Sequence, residues 1–341
     1  REARRIEDAD RRAPAAARQQ RVPRGRDVVA HRRHETDARH RHATAAAARR
    51  DFPDVPVHVD YRELLARADV EVADVVVPNH LHEEIGVAAL DHGKDVLLEK
   101  PMAATPEQCD RLLAAARRTG RVLTIGHELR LSTQWGRVKA IIDAGDIGEP
   151  RYALQTLFRF PYRPGADGWR HDRSRVGSWI LEEPVHAFDS VMWYLERQGD
   201  PVSVLALGNG RNPEEGMEDN FTALLRFRGG AYAVVTETLA AFEYHHVTEV
   251  VGREGSIRAW WSGTMDRTRR PAYELKLQRR GTGEAETVTL AASGELFELE
   301  TQLAQAVVAF RERRPLVSGE EARKRVIVCV EAKRSLREGR E

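Results

Sequence analysis

From Phe52 onward the chain alternates short apolar runs with amphipathic stretches that end at glycines. Tyr61 to Ala68 reads as a short helical stretch. Val72 to Val77 is apolar and β-branched, the signature of a strand buried on both faces, and Pro78-Asn79-His80 ends it. A helix is predicted from about His82 to Leu90, stopped by Gly93, and Val96-Leu97-Leu98 is the next buried strand. Thr105-Pro106-Glu107-Gln108 is a capping box with proline at the first helical position; its helix runs to about Arg118 and closes at Gly120. Val122 to Ile125 is a third strand. Strands alternating with helices predict a parallel sheet covered on both faces.

After Gly126 the rhythm changes. A helix is predicted over about Thr133–Ala144, a strand over Arg151–Phe160, and a helix over Glu183–Gln198 with Val185, Phe188, Met192 and Leu195 on one face. Seven strands follow with no helix between them, near 202–208, 220–228, 231–239, 246–252, 256–261, 273–279 and 286–290, the pattern of a largely antiparallel sheet. Helices near 295–313 and 319–337 close the sequence.

The first fifty residues break this order. Arg and Ala make up more than half of them, no Lys precedes Lys94, and the only apolar residues other than Ala are Ile6, Val22, Val28 and Val29. Neither a helical nor an alternating pattern is visible, and so little apolar surface does not offset ordering entropy. A basic tail touching nucleic acid and a transit peptide are two readings. Seven acids (Glu2, Glu7, Asp8, Asp10, Asp27, Glu35 and Asp37) speak against the second. We favour a third: a mis-framed translation of a GC-rich gene, standing where a first βαβ unit belongs. The expected division is therefore 1–50 anomalous (disordered or mis-framed), 51–126 the remainder of a nucleotide-binding domain, and 127–341 a substrate-binding and oligomerisation domain.

A length of 341 residues accommodates two domains, and a net charge of +1 gives no general argument for a nucleic-acid or membrane partner. No apolar run reaches membrane-span length and no secretory h-region is visible, so a cytoplasmic location is expected. Cys109 and Cys329 read as packed, reduced thiols. No HExxH or paired-cysteine spacing occurs, so no metal is expected.

Ligands of open α/β sheets bind beyond the carboxyl ends of the strands. Two runs fall there: Pro78-Asn79-His80-Leu81-His82 and Glu99-Lys100-Pro101. A lysine at that place can donate to a substrate hydroxyl and stabilise a developing alkoxide; a surface lysine in a turn set by Pro101 is the structural alternative. The second constellation is Glu182-Glu183-Pro184-Val185-His186-Ala187-Phe188-Asp189. A helix beginning here puts Glu182 and His186 on one face, a carboxylate beside a general base. A capped helix start with a satisfied histidine accounts for the same residues.

Taken together, these runs resemble the Gfo/Idh/MocA oxidoreductase family, which contains glucose–fructose oxidoreductase and inositol 2-dehydrogenase. The likeness extends from about residue 52 to the end. It implies an α/β fold: a Rossmann-like parallel sheet, its first βαβ unit aberrant or missing, then an α/β domain with an open, mainly antiparallel sheet. It also implies hydride transfer between NAD or NADP and a secondary alcohol of a sugar or cyclitol. Carried over by motif, Lys100 hydrogen-bonds the reacting hydroxyl, His186 takes its proton, and Glu182 orients substrate and His186. Pro78, Asn79, His82, Glu99, Lys100 and Pro101 shape the nicotinamide-ribose end of the cofactor site. Trp169 and Arg170 resemble the family's Trp-Arg pair, and Glu128, Arg130, Asp189 and Tyr244 are substrate-pocket residues. The resemblance further implies a homodimer or homotetramer assembled through the C-terminal sheet.

Two departures stand out. Glu182 occupies the place of the family's Asp, with Pro184 where a Gly is usual. No G-x-G-x-x-G occurs near the start, Gly25 being the only glycine before Gly86. That loop brings backbone close to a pyrophosphate, so its absence from the printed sequence raises an alternative: a non-catalytic cofactor or sugar sensor, or a regulatory member, of the same family.

Overall fold

The computed structural model describes residues 28–29, 38–210 and 217–340. Two compact units divide at Val70/Glu71.

The first unit contains a strand–helix–strand: β1 (Val28–Val29), α1 (Ala38–Asp51) and β2 (Val57–His58), with β1 and β2 parallel. A short helix α2 (Tyr61–Leu65) follows, capped by the Asp60 side chain accepting from the Arg62 backbone N–H. Helix α1 forms where the sequence showed no amphipathic stripe. Its alanines supply intrinsic helix propensity instead, and Arg49 and Arg50 sit in its last turn, where cations suit the macrodipole. The expectation of a structureless segment thus fails over 38–50. The rest of that expectation, on 1–27 and 30–37, lies outside the described residues.

The second unit opens with the parallel sheet β3–β4–β5 (Val72–Val75, Asp95–Glu99, Leu123–Gly126). Helix α3 (His82–Asp91) and helix α4 (Pro106–Thr119) connect the strands. The capping box at Thr105 and Gln108 is present, and Gly120 takes the left-handed conformation that ends α4. Strand β4 is buried along Val96, Leu97 and Leu98. The far edge of β5 is covered by a segment from the end of the chain: Ile125 N–H donates to Val317 O at 3.1 Å, and Thr124 bridges to Ser318.

Helix α5 (Trp135–Asp143) leads into an eight-stranded sheet. Its strands are β6 (Pro150–Phe158), β7 (Pro201–Asn209), β8 (Asn220–Phe227), β9 (Tyr232–Thr238), β10 (Tyr244–Gly252), β11 (Gly255–Gly263), β12 (Ala272–Arg279) and β13 (Glu286–Thr287), in the order β13-β12-β11-β10-β6-β9-β8-β7. The sheet is antiparallel except where β6 runs parallel to β9. That pair arises because three short helices, α6 (Arg173–Val176), α7 (Trp179–Glu182) and α8 (Pro184–Tyr194), together with β7 and β8, intervene between β6 and β9. Period-two burial marks the inner face: Ala233, Val235 and Glu237 on β9, and His246, Thr248 and Val250 on β10. Helices α9 (Glu295–Arg311) and α10 (Gly319–Glu338) complete the unit, α10 starting from a second capping box at Ser318 and Glu321.

The helix expected over Glu183–Gln198 is interrupted. Pro184 lacks the N–H that would continue α7, so the helical hydrogen bonding breaks there, and Glu183 stands at φ −125°, ψ −50° between α7 and α8. Glu182 and His186 therefore belong to different helices and do not share one helical face, and α8 ends at Tyr194. No helix among the described residues is long and apolar enough to cross a membrane.

Candidate active site

The carboxyl ends of β3, β4 and β5 deliver three segments to one place: Val77–Asn79, Glu99–Pro101 and Gly126–Glu128. His82 locks the first two together. Its Nδ1 lies 2.6 Å from Pro101 O and its Nε2 2.8 Å from Val77 O, in a fully buried position. The Lys100–Pro101 peptide is cis. Asn79 is buried and donates through Nδ2 to Val176 O and to Glu182 Oε2, each at 3.1 Å.

Lys100 Nζ donates to the main-chain carbonyl of Glu182 at 2.6 Å and stands 3.9 Å from Glu183 Oε2. Burial pushes its pKa down, but Glu183, Glu182, Glu128 and Glu99 together outweigh burial and hold the ammonium above its ordinary value. The lysine is a committed cation. Burial raises the Glu99 carboxyl, which accepts from Gln302 Nε2 at 3.2 Å. Gly126 keeps this corner open: a Cβ there would stand 3.0 Å from Glu99 Oε1 and 3.2 Å from Gln302 Nε2.

The side chain of Glu182 is spoken for by Asn79 and by Arg170, whose Nε donates to Oε1 at 2.8 Å. It does not reach His186. Its link to Lys100 runs through its backbone carbonyl, which is a different task from the one carried over by motif. The carboxylate beside His186 belongs instead to Glu128, with Oε1 3.6 Å from His186 Nε2. His186 Nδ1 and Glu128 Oε2 are buried with no hydrogen-bond partner among the described residues. Burial and then Lys100 hold His186 well below the usual imidazole pKa, while burial and then Glu99 push Glu128 well above the carboxylate range.

Arg130 and Asp189 were both expected to face substrate. They face each other. Arg130 Nε and Nη2 donate to Asp189 Oδ2 and Oδ1 at 2.9 and 2.7 Å, Arg325 Nε adds a third bond at 2.8 Å, and Arg130 Nη1 also reaches Glu321 Oε1 at 3.0 Å. This bidentate cluster ties the turn after β5 to α8 and α10. His127 lies edge-on to His186, 3.7 Å from Asp189, its pKa taken down to about 4 mainly by burial.

Trp169 is buried beside Tyr162 and Trp179, and Arg170 lies over its ring at 4.6 Å. Tyr244 donates to Glu183 Oε1 at 2.6 Å and stacks on His246. Arg159 pairs with the same Glu183 oxygen at 2.9 Å, flanked by the rings of Tyr162 and Tyr244. Burial opposes ionisation of Glu183, yet Arg159, Lys100 and His186 hold its carboxyl well below the ordinary range.

Sequence reasoning left out Glu183, Arg159, Tyr162, His127 and Glu237. Two of these carried a readable signal. Glu183 is inside the quoted motif, and Glu237 is an acid at an inward position of an alternating strand, following Ala233 and Val235. Among the described residues no group of His, Cys, Asp and Glu is placed to hold a metal ion. The nicotinamide end of a dinucleotide fits the convergent strand ends, where unpartnered His186 Nδ1 and Glu128 Oε2 await polar contacts.

A family model described as "Oxidoreductase family, NAD-binding Rossmann fold" matches residues 16–127, and the model of the GFO/IDH/MocA C-terminal domain matches residues 135–258. The first match begins inside the Arg/Ala-rich segment. A 1-carboxy-3-chloro-3,4-dihydroxycyclohexa-1,5-diene dehydrogenase of Comamonas testosteroni is 33% identical over 204 residues, 59% of this chain and 50% of that protein. A 1,5-anhydro-D-fructose reductase of Ensifer adhaerens is 33% identical over 197 residues, 57% of this chain and 58% of that protein. The chain thus spans about half the length of the curated relatives it matches. Levoglucosan dehydrogenase, solved with NADH and levoglucosan, superposes with a TM-score of 0.74 at 23% identity over 87% of each chain, a likeness of fold. By its two domain matches and its fold, the chain belongs to the Gfo/Idh/MocA family of oxidoreductases.

Proposed function

We propose that this protein is an NAD(P)-dependent oxidoreductase that acts on a secondary alcohol of a sugar or cyclitol. One observation carries the reading: Lys100, a committed cation at a strand end, lies close enough to buried His186 to depress its ionisation, and His186 Nδ1 has no hydrogen-bond partner among the described residues. A bound nicotinamide would supply the hydride acceptor at its C4. Lys100 Nζ donates to the reacting hydroxyl and stabilises negative charge as it develops on that oxygen. Neutral His186 takes the proton at Nδ1, which requires its own proton on Nε2, the nitrogen facing Glu128 Oε1. Asn79 and Arg170 fix Glu182, and the Glu182 carbonyl fixes Lys100.

The relatives support this class, since those described above are named as dehydrogenases or a reductase of hydroxylated rings. A sensor has no use for an acid–base pair beside a nicotinamide, which disfavours the regulatory alternative. The outward face of the large sheet carries exposed Leu224, Tyr232 and Val251, and we assign it to contact with a second copy of the chain.

The test is turnover: full-length protein with NAD+ or NADP+ and a panel of inositols, hexoses and anhydrosugars, read by absorbance of the reduced cofactor. Reduction with at least one polyol is expected. No reduction with any polyol and either cofactor overturns the proposal.

A further inference from the structure

We propose that Glu183 is a positioning residue for hydride transfer: Arg159 and Tyr244 clamp one of its carboxylate oxygens, and the other faces Lys100, near enough to steady the ammonium yet too far to take the proton meant for the substrate hydroxyl. This deepens the oxidoreductase reading above and rests on it.

Two consecutive residues at the break between α7 and α8 serve one lysine. Lys100 Nζ donates to the Glu182 carbonyl at 2.6 Å. Glu183 Oε2 stands 3.9 Å from the same nitrogen, within ion-pair range but beyond a hydrogen bond. An ammonium carries three N–H groups, and the Glu182 carbonyl takes one, which leaves donors for a ligand. The far side of the carboxylate sets this separation. Oε1 accepts from the Tyr244 hydroxyl at 2.6 Å and pairs with Arg159 Nη1 at 2.9 Å. The Arg159 guanidinium is fixed in turn over the rings of Tyr162 and Tyr244, at 4.8 and 4.9 Å. The side chains of Lys100, Glu183 and Arg159 are only 14, 12 and 14% exposed, so solvent ions screen this chain of charges little.

In alcohol oxidation the hydroxyl proton goes to His186 and the hydride to the nicotinamide. Lys100 keeps its own protons while the substrate oxygen turns negative, and its charge is what stabilises that oxygen. Burial drives the lysine towards the neutral amine, and Glu183 opposes it most, ahead of Glu182, Glu128 and Glu99. The other acids are weaker anchors. Burial pushes Glu99, Glu128 and Glu237 above the carboxylate range, and Glu182 is shared with Asn79 and Arg170. Glu183 meets the same burial, yet Arg159, Lys100 and His186 hold it well below that range. The remaining neighbours add no charge near neutral pH: burial lowers His82, His127, His186 and His246, and raises Tyr162 and Tyr244.

The experiment is the pH profile of kcat/KM for full-length protein, with the cofactor it reduces and the polyol of the panel above that it oxidises best. Wild-type activity is expected to hold to about pH 10, the ordinary range of a lysine or above it. Glu183→Gln keeps the shape and removes the charge, and its alkaline limb is expected to fall by about one pH unit or more. Glu183→Asp restores the charge and should bring the limb back towards wild type, which a purely structural role would not do. Tyr244→Phe leaves the carboxylate but frees it to close on Lys100; kcat/KM should fall at least about threefold with the limb unmoved. A limb in Glu183→Gln at the wild-type position, or one in Glu183→Asp as low as in Glu183→Gln, overturns the inference, and so does wild-type kcat/KM in Tyr244→Phe. A wild-type limb below about pH 9 overturns it even where no variant folds. Absence of turnover by the wild type with every polyol and either cofactor is the separate result that overturns the oxidoreductase reading itself.

Discussion

Replacing Asp189 by Asn separates a structural role from a substrate-reading one. Asp189 accepts three bonds: Arg130 Nη2 and Arg325 Nε on Oδ1, and Arg130 Nε on Oδ2. An asparagine oxygen placed at Oδ1 keeps the first two as bonds to a neutral acceptor. Its amide nitrogen then faces the Arg130 Nε–H, so one charge-assisted bond becomes a donor–donor contact. Losing one such bond costs about 1.5–3 kcal/mol, and weakening two others brings the total to about 3 kcal/mol, the low end for breaking a buried pair. Glu321 still accepts from Arg130, which limits the damage. For a chain of 341 residues, with an unfolding entropy of about 2.1 cal/mol/K per residue, the apparent Tm falls by about 4 °C. Burial raises the Asp189 pKa, but His127, Arg130 and Arg325 hold it well below the carboxylate range. A depressed carboxyl contributes stability above its unfolded pKa of about 3.9 and loses it as pH falls through the folded value. The wild-type advantage is thus full at neutral pH and shrinks in acid. Urea and thermal unfolding of both proteins from neutral to acid pH measure it. An apparent loss below about 1 kcal/mol, joined to a raised KM for the polyol, would refute the structural assignment.

Other expectations follow from the same geometry. His186→Asn removes the proton acceptor, and turnover should drop by about 10² or more with cofactor affinity within a few-fold; wild-type turnover removes His186 from the chemistry. Lys100→Met should act on kcat to a similar degree, measured in the same absorbance assay. Burial holds His127 neutral, its pKa near 4 against about 6.5 unfolded, so its contribution is full above pH about 6.5 and lost as pH falls towards 4. The stability of wild type relative to His127→Asn should therefore decline over that window in urea titrations, and a pH-independent difference would contradict it. Tyr244→Phe removes a donor from buried Glu183 and should lower stability by about 1–2 kcal/mol, with denaturant midpoints as the readout.

The elements of the second unit were legible because their periods are regular. β4 is a continuous apolar run, and β9 and β10 alternate along their length. The break at Glu183 was less so, although Pro184 carried the reason in its missing N–H. Helix α1 escaped a search for apolar stripes because alanine propensity, not amphipathicity, makes it. At the site, Lys100, Glu182 and His186 stood out as a motif. The partners each chose did not, because pairing is a property of three dimensions. Asp189 finds Arg130 and Arg325 across long sequence separations, and Glu128 replaces Glu182 beside His186. The parallel β6–β9 pair was hidden for the same reason: strand periodicity reports burial, not direction.

The strip Leu316–Ser318 that lies along β5 ties the order of synthesis to the order of assembly. Ile125 and Thr124 leave the ribosome almost two hundred residues before the Val317 and Ser318 that cover them, and Asp95 leaves it 218 residues before Arg313, which bonds to it at 2.6 Å. Until then the parallel sheet has an open edge, a template for pairing with another nascent chain. Loss of the chain from Leu316 onward would leave that edge bare for good, so a stop codon just before Leu316 should yield aggregate rather than a shortened folded protein.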